Sequence, residues 1–244
     1  MSVELIAVKG LPEIRSGDDL AQLIATHAEL REGDVIVVAQ KAVSKSESML
    51  RDLREIVPGD QASDIASRTQ RDARLVQLIL DESTTVLRDD PVLIVETRHG
   101  FVCANAGIDR SNVDADGNLV SLLPQDADAS ASRLRSRFAE VAGAEIGVII
   151  SDTFGRAWGL GIVNVALGVA GFAALVDHRG RPDDHGREMY ATIIAVADEI
   201  ASAAELVMGK TRRIPAVIVR GLTLDGEPGR GQDLIRPIAE DLFR

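Results

Sequence analysis

A single cysteine, Cys103, excludes a disulfide within the chain and argues against a cysteine-based zinc site. Basic charge is also scarce: 27 Lys and Arg stand against 38 Asp and Glu, for a formal charge of −11. Phosphate backbones reward a positive surface, so this balance argues against general nucleic-acid binding while leaving room for a local anion pocket. No apolar run approaches the ~20 residues needed to span a bilayer. The N-terminus, MSVELIAVKGLPEI, lacks the basic start and long apolar centre of a signal peptide. The expectation is a cytoplasmic protein that engages neither nucleic acid nor membrane. Also missing are an internal repeat, a Pro/Ser linker, and the G-x-x-x-x-G-K-[ST] loop that commonly cradles triphosphates. Histidines at the helical H-x-x-x-H spacing of metal sites are missing too.

What remains is ordinary globular material, 45% hydrophobic and 27% charged, in 244 residues. That length suits one large domain or two smaller lobes. Residues 3–8, 35–39, 92–96, 101–106, 146–150 and 216–219 read as strands. The run VIVVA at 35–39 is apolar without alternation, which predicts burial on both faces. Helices are expected from a cap at Asp18 or Asp19 to about Leu30, over 58–80, over 131–142 and over 188–208, with helical character again at 234–244. Residues 114–130 read as a loop, and 164–176 as either a close-packed strand or a loop and strand. Without strict strand–helix alternation, the expected fold is a compact α+β unit. It would have mixed sheets, packed helices and two interwoven lobes, and it spans 1–244 with no legible internal boundary.

Several apolar runs end in polar groups of related kinds. The run at 35–39 leads to Lys41 and Lys45, that at 101–106 to Asp109 and Asn112, that at 146–150 to Asp152, Thr153 and Arg156, and that at 216–219 to Arg220. Such groups can converge on one mouth of a sheet. Carboxylates are hard oxygen ligands for Mg²⁺ or Mn²⁺, and lysine and arginine neutralise phosphate oxygens. Taken singly, each has a blander explanation. Asp and Thr after a strand often make turns or caps, and a lysine is usually solvated. The pair Gly168 and Gly171 reads as packing rather than phosphate binding. The polar stretch 177–187 reads as a surface loop despite its two histidines.

The stretches GLPEI (10–14), GDVIVVAQKAVSK (33–45), GFVCANAGIDRSNV (100–113), LLPQDADASA (122–131), ISDTFGR (150–156), VDHRGRPDDHGRE (176–188), ADEIASAAELVMGK (197–210) and IPAVIVRG (214–221), with the closing DLFR, together resemble the coenzyme F420-0:L-glutamate ligase family, also called F420-0 gamma-glutamyl ligases. The resemblance covers nearly the whole chain. It implies a GTP-dependent ligase acting on a deazaflavin with a phospholactate tail. GTP would phosphorylate the tail carboxylate, and L-glutamate would attack the resulting acyl phosphate. Further gamma-linked glutamates could follow. Carried over by position, it implies Asp109 and Asp152 as ligands of one divalent cation, Mg²⁺ or Mn²⁺, and Thr153 as a ligand of a second. A monovalent cation such as K⁺ is a further expectation. Leu11, Pro12, Glu13, Ile14, Gln40, Lys45, Asn112 and Lys210 would line the nucleotide. Arg156 would meet a phosphate or a substrate carboxylate, with a structural salt bridge as the alternative. The family also implies an interwoven homodimer.

Some positions depart from the family pattern. Ala157-Trp158-Gly159 replaces a usual Pro-Trp-Arg, and Asn164 stands where aspartate is common. Gln40 replaces a small hydroxyl residue, and Ser46-Glu47-Ser48 replaces Ala-Glu-Gly. The expected metal ligands are intact, while the acceptor and the tail length stay open. At 244 residues no room is expected for the nitroreductase-like domain fused to some members, so a short glutamate tail is expected unless a partner protein helps. Two other readings stand beside this one. In one the same fold serves a different carboxylate acceptor; in the other the chain binds nucleotide or deazaflavin without catalysis.

Overall fold

A computed structural model describes residues 2–111, 113, 116–224 and 226–241. Asn112 and the last three residues of the closing DLFR lie outside these. The main sheet runs in the order Glu4–Ala7, Ala216–Arg220, Val35–Ala39, Gly147–Arg156, Gly159–Ala170. Only Val35–Ala39 and Gly147–Arg156 pair in parallel; the other neighbours are antiparallel.

The unbroken apolar run at Val35–Ala39 follows from cover on both sides. Successive side chains of a strand point to opposite faces. Ile36 and Val38 therefore share a core with Ile24 of helix Leu20–His27 and Phe138 of helix Ala127–Ala142. Val35 and Val37 pack instead with Ala197, Ile200 and Ala204 of helix Val196–Met208. Asp19 caps the first helix by accepting from the Gln22 amide at 3.0 Å, as the sequence suggests.

A second lobe is inserted after Ser46 and has its own core of Leu53, Ile65, Val76, Ile79, Leu93, Val95, Val120 and Leu122. It holds a three-stranded sheet of Ser83–Arg88, Ile94–Thr97 and Val102–Ala104, and a two-stranded one of Leu50–Asp52 and Leu119–Ser121. The architecture is thus α+β with mixed sheets and two cores. Among the described residues, no helix is long and apolar enough to cross a membrane.

Several element readings need correction. The helix expected over 58–80 is two, Asp60–Thr69 and Ala73–Asp81. Gln70 ends the first in a left-handed conformation and the Asp72 side chain caps the second. The last long helix begins at Val196, because Ile193–Ile194 is a short strand paired with Val176–Asp177. Its neighbour Ala127–Ala142 starts four residues early, capped by Asp126. The described part of the tail makes short 3₁₀ turns on either side of Pro237, which cannot donate a helical hydrogen bond. Residues 164–176 resolve as the end of the strand Gly159–Ala170 and the loop that follows.

The most consequential correction concerns Ser151-Asp152-Thr153. The apolar run stops there, but the strand does not. It continues through Arg156 and returns as Gly159–Ala170. Asp152 and Thr153 are therefore strand residues rather than turn residues.

Gly168 and Gly171 serve packing, as expected. A Cβ on Gly168 would lie 2.1 Å from the Ala127 carbonyl oxygen, so only glycine lets the start of helix Ala127–Ala142 rest on the hairpin. We expect Gly168→Ala to destabilise the fold by about 1–3 kcal/mol through forced displacement of that helix. Urea titration checks this; an unchanged midpoint would show that the contact yields freely.

Candidate active site

Ala39 is the last residue of its strand to pair with Gly147–Arg156, opposite Ser151. Beyond that point Gly147–Arg156 is held in the sheet only by its hairpin partner, with Asp152 opposite Val165 and Thr153 opposite Asn164. Strand Val102–Ala104 of the second lobe lies against it here, and Phe101 meets Phe154 edge to face with centroids 6.1 Å apart. The polar residues begin where the parallel neighbour stops and the second lobe takes over.

Asp109 comes from that lobe, where it pairs with Ser121 in an isolated bridge. Its Oδ2 forms an ion pair with Lys41 Nζ at 2.7 Å, and Oδ1 accepts from the Ser111 amide at 2.7 Å. The Ser111 hydroxyl donates to Oδ2 at 2.9 Å, and Lys41 Nζ also reaches the Ser111 carbonyl at 2.6 Å. Burial opposes the charge on Asp109, but the Lys41 and Ser111 hydrogen bonds outweigh it and hold the carboxyl below its ordinary value.

Asp152 behaves oppositely. Burial is the main influence and pushes it up to about 6. The Thr153 amide and the charges of Lys210 and Lys41 pull it down, and the Asp109 charge adds to the rise. The two carboxylates, from different lobes, therefore sense each other. Buried Cys103 feels the same field. Burial first and the Asp152 charge second push its thiol up to about 12.

Thr153 lies one residue on and faces the other way. Its hydroxyl donates to Asn164 Oδ1 at 2.7 Å and accepts from Lys210 Nζ. Lys41 and Lys210 thus supply positive charge at the two acids and the hydroxyl. Lys45 Nζ is paired with Glu13, which ties the segment at residues 11–14 to the helix Gln40–Ser46. Ile14 is buried there. Gln40 is buried, and its Oε1 lies 2.8 Å from the Ser44 hydroxyl, which also reaches the Leu122 carbonyl at 2.6 Å. This knot joins the two lobes and turns the Gln40 side chain inward.

Two residues fall elsewhere. Arg220 is not at this mouth, because its strand runs antiparallel to Val35–Ala39 and ends at the opposite edge. There it forms a bidentate pair with buried Asp34 at 2.7 and 2.8 Å. Arg156 sits at the hairpin tip, four residues past Asp152, and donates to the Leu160 carbonyl at 3.3 Å. Four strand residues span roughly 13 Å, so it stands apart from the carboxylates in this chain. Among the described residues it has no ion pair, so the salt-bridge alternative finds no support. Residues 177–187 are largely exposed and carry a local Asp177–Arg179 pair. Sequence reasoning gave no role to Ser111, Glu205 or Asn164, and it noted Lys41 only as following a strand.

The donor set is two carboxylates and a hydroxyl, all oxygen, with ammonium groups already drawn onto them. Among the described residues no three His, Cys, Asp or Glu cluster as a complete metal cage. An all-oxygen donor set is the kind that Mg²⁺ or Mn²⁺ takes, commonly one or two carboxylates with the remaining positions left to water or substrate phosphate. Asp109, Asp152 and Thr153 would hold such ions.

The sequence profile of the F420-0:gamma-glutamyl ligase family matches residues 10–221. Proteins named coenzyme F420:L-glutamate ligase are similar along their whole length. The one from Methanothermobacter thermautotrophicus is 47% identical over 253 residues, covering 100% of both chains. The one from Archaeoglobus fulgidus is 46% identical over 245 residues, covering 100% of this chain and 97% of its own. The one from Methanopyrus kandleri is 48% identical over 238 residues, covering 95% and 94%.

The raised Asp152 has a stability consequence. Its native value, about 6, lies above the ordinary 3.8. Between these values the native state keeps a proton that the unfolded chain releases, so metal-free stability falls as pH rises through this window. The contribution is on the order of 2–3 kcal/mol. We expect Asp152→Asn to remove it. Relative to wild type, the variant should gain that amount between about pH 4 and about pH 7 in urea titrations; parallel curves would refute the assignment.

Proposed function

The chain belongs to the F420-0:gamma-glutamyl ligase family, and from that premise we propose that it joins L-glutamate to the phospholactate carboxylate of coenzyme F420-0, driven by GTP. The observation that carries this reading is that Asp109 and Asp152, from separate lobes, lie within each other's electrostatic reach, with Lys41 paired to Asp109 and the charge of Lys210 acting on Asp152. A carboxylate acylates poorly because its oxide is a bad leaving group. Its attack on the γ-phosphorus of GTP gives an acyl phosphate and GDP. The free amine of glutamate then attacks the acyl carbon, the amide forms, and phosphate leaves with the C–O bond pair while the amine sheds a proton.

Triphosphate and acceptor are both anions, so their approach needs positive charge. Two divalent cations at Asp109, Asp152 and Thr153 would supply it, neutralising charge that develops on phosphoryl oxygens. Lys41, Lys45 and Lys210 supply more from the protein itself. Lys45 would exchange Glu13 for a phosphate, and the backbone at Leu11, Pro12, Glu13 and Ile14 would run along the nucleotide, which Gln40 and Asn112 would help hold. Arg156 would contact a phosphate or substrate carboxylate from the hairpin tip. That tip also supports a homodimer: Trp158 in the turn is 84% exposed and Leu160 98%, with Ile162 exposed on the same strand as Leu160. Large exposed apolar side chains grouped at one hairpin tip are the kind of surface an interaction site offers.

The test is mass spectrometry of a reaction holding the protein, GTP, Mn²⁺, K⁺, F420-0 and L-glutamate, with each component omitted in turn. We expect a product heavier by one or a few glutamyl units that disappears without GTP or divalent metal, and loss of turnover in Asp152→Ala. Product formation without GTP would overturn the nucleotide assignment. GTP bound in a metal-dependent way with no mass gain would redirect attention to another acceptor.

A further inference from the structure

We propose that Asn164 is a positioning residue: it fixes the proton of the Thr153 hydroxyl so that the oxygen presents only lone pairs to the site. This rests on the reading of Thr153 as a cation ligand. Asn164 is 4% exposed and lies opposite Thr153 in the hairpin. Its Nδ2 donates to Glu205 Oε2 at 3.3 Å and, more weakly, to Ser151 Oγ at 3.4 Å. A carboxylate can only accept, so Glu205 settles which end of the amide faces it. The flipped amide would set Oδ1 against that carboxylate. Oδ1 must therefore face Thr153, and since Oδ1 also can only accept, the Thr153 hydroxyl must donate to it, across 2.7 Å. Both lone pairs of Thr153 Oγ are left for the site. Lys210 Nζ donates to that oxygen, marking with an ammonium the side from which a cation would approach.

The arrangement is braced from behind. Asp198, Ser202 and Glu205 recur at one-turn spacing on helix Val196–Met208, so they share one face. Asp198 accepts from the Ala166 amide at 2.8 Å and Ser202 donates to the Asn164 carbonyl at 2.7 Å. With Glu205 on the Asn164 amide, three successive turns of helix grip the strand that carries Asn164. An unbraced hydroxyl rotates freely and spends part of its time with the proton toward the site, where it would repel a cation. Groups that orient a ligand typically change metal affinity by ~10–100-fold when removed.

The experiment is Mn²⁺ titration of the full-length protein followed by electron paramagnetic resonance, with GDP in every sample and a protein-free control, alongside melting temperatures. Thr153→Ala should weaken Mn²⁺ binding by about tenfold, and Asn164→Ala by a comparable factor. The double variant should be no weaker than Thr153→Ala alone, because both act through one oxygen. Asn164→Asp, which keeps an acceptor for Thr153, should recover most of the affinity. Glu205→Ala, at a half-buried position, should weaken binding without a large loss of melting temperature. Asn164→Ala that lowers the melting temperature but binds Mn²⁺ like wild type would overturn this inference alone. Unchanged binding in Thr153→Ala, or no binding by wild type, would overturn the ligand reading beneath it as well.

Discussion

Burial of the Asp152 carboxylate, to which the charge of Asp109 adds, is the constraint around which the site is organised. Two like charges in a half-buried cleft raise each other's energy unless positive charge is brought to them. The chain meets this unequally. Asp109 receives Lys41 and the Ser111 donors and stays well ionised, while Asp152 has the Thr153 amide and a more distant lysine field and is pushed toward neutrality. The pair is thus half-compensated.

The fold creates this tension through a mismatch in strand length. Val35–Ala39 stops opposite Ser151, whereas its parallel neighbour runs five residues further. The overhang carries Asp152 toward the second lobe on one face and Thr153 toward helix Val196–Met208 on the other. Alternation along a single strand therefore distributes two oxygen donors between two different structural supports. The Gln40–Ser44–Leu122 knot holds the lobes in the register that this needs.

Much of this was legible in the chain itself. Unalternated VIVVA implied a strand covered twice, and Asp19 announced its helix. The acids and lysines after strands raised the expectation of an anion- and cation-handling mouth, and the structure pairs Lys41 with Asp109 from that set. What the sequence hid were relations across space. Arg220 looked equivalent to Lys41 because direction in a sheet is not written in a run of valines. Asp152 looked like a turn residue because loss of hydrophobicity resembles loss of strand; here it marks a change of environment within a continuing strand. The helix over 188–208 looked too long because Ile193 and Ile194 fit its period while pairing elsewhere. Asn164 stood out only as a departure from the family pattern, since its place opposite Thr153 and within reach of Glu205 is a relation across space.

Cys103 is buried and feels the charge of Asp152, and its thiol is pushed up to about 12. Thiolate is the reactive form, so at neutral pH this sulfur is nearly inert toward alkylating agents and disulfide exchange. The chain has no other cysteine. It therefore comes with a silent background for thiol chemistry, and a cysteine placed on its surface, at the apolar hairpin tip for instance, would react alone. Spectroscopic labels could be set on either lobe without first removing the native sulfur or disturbing the acid beside it.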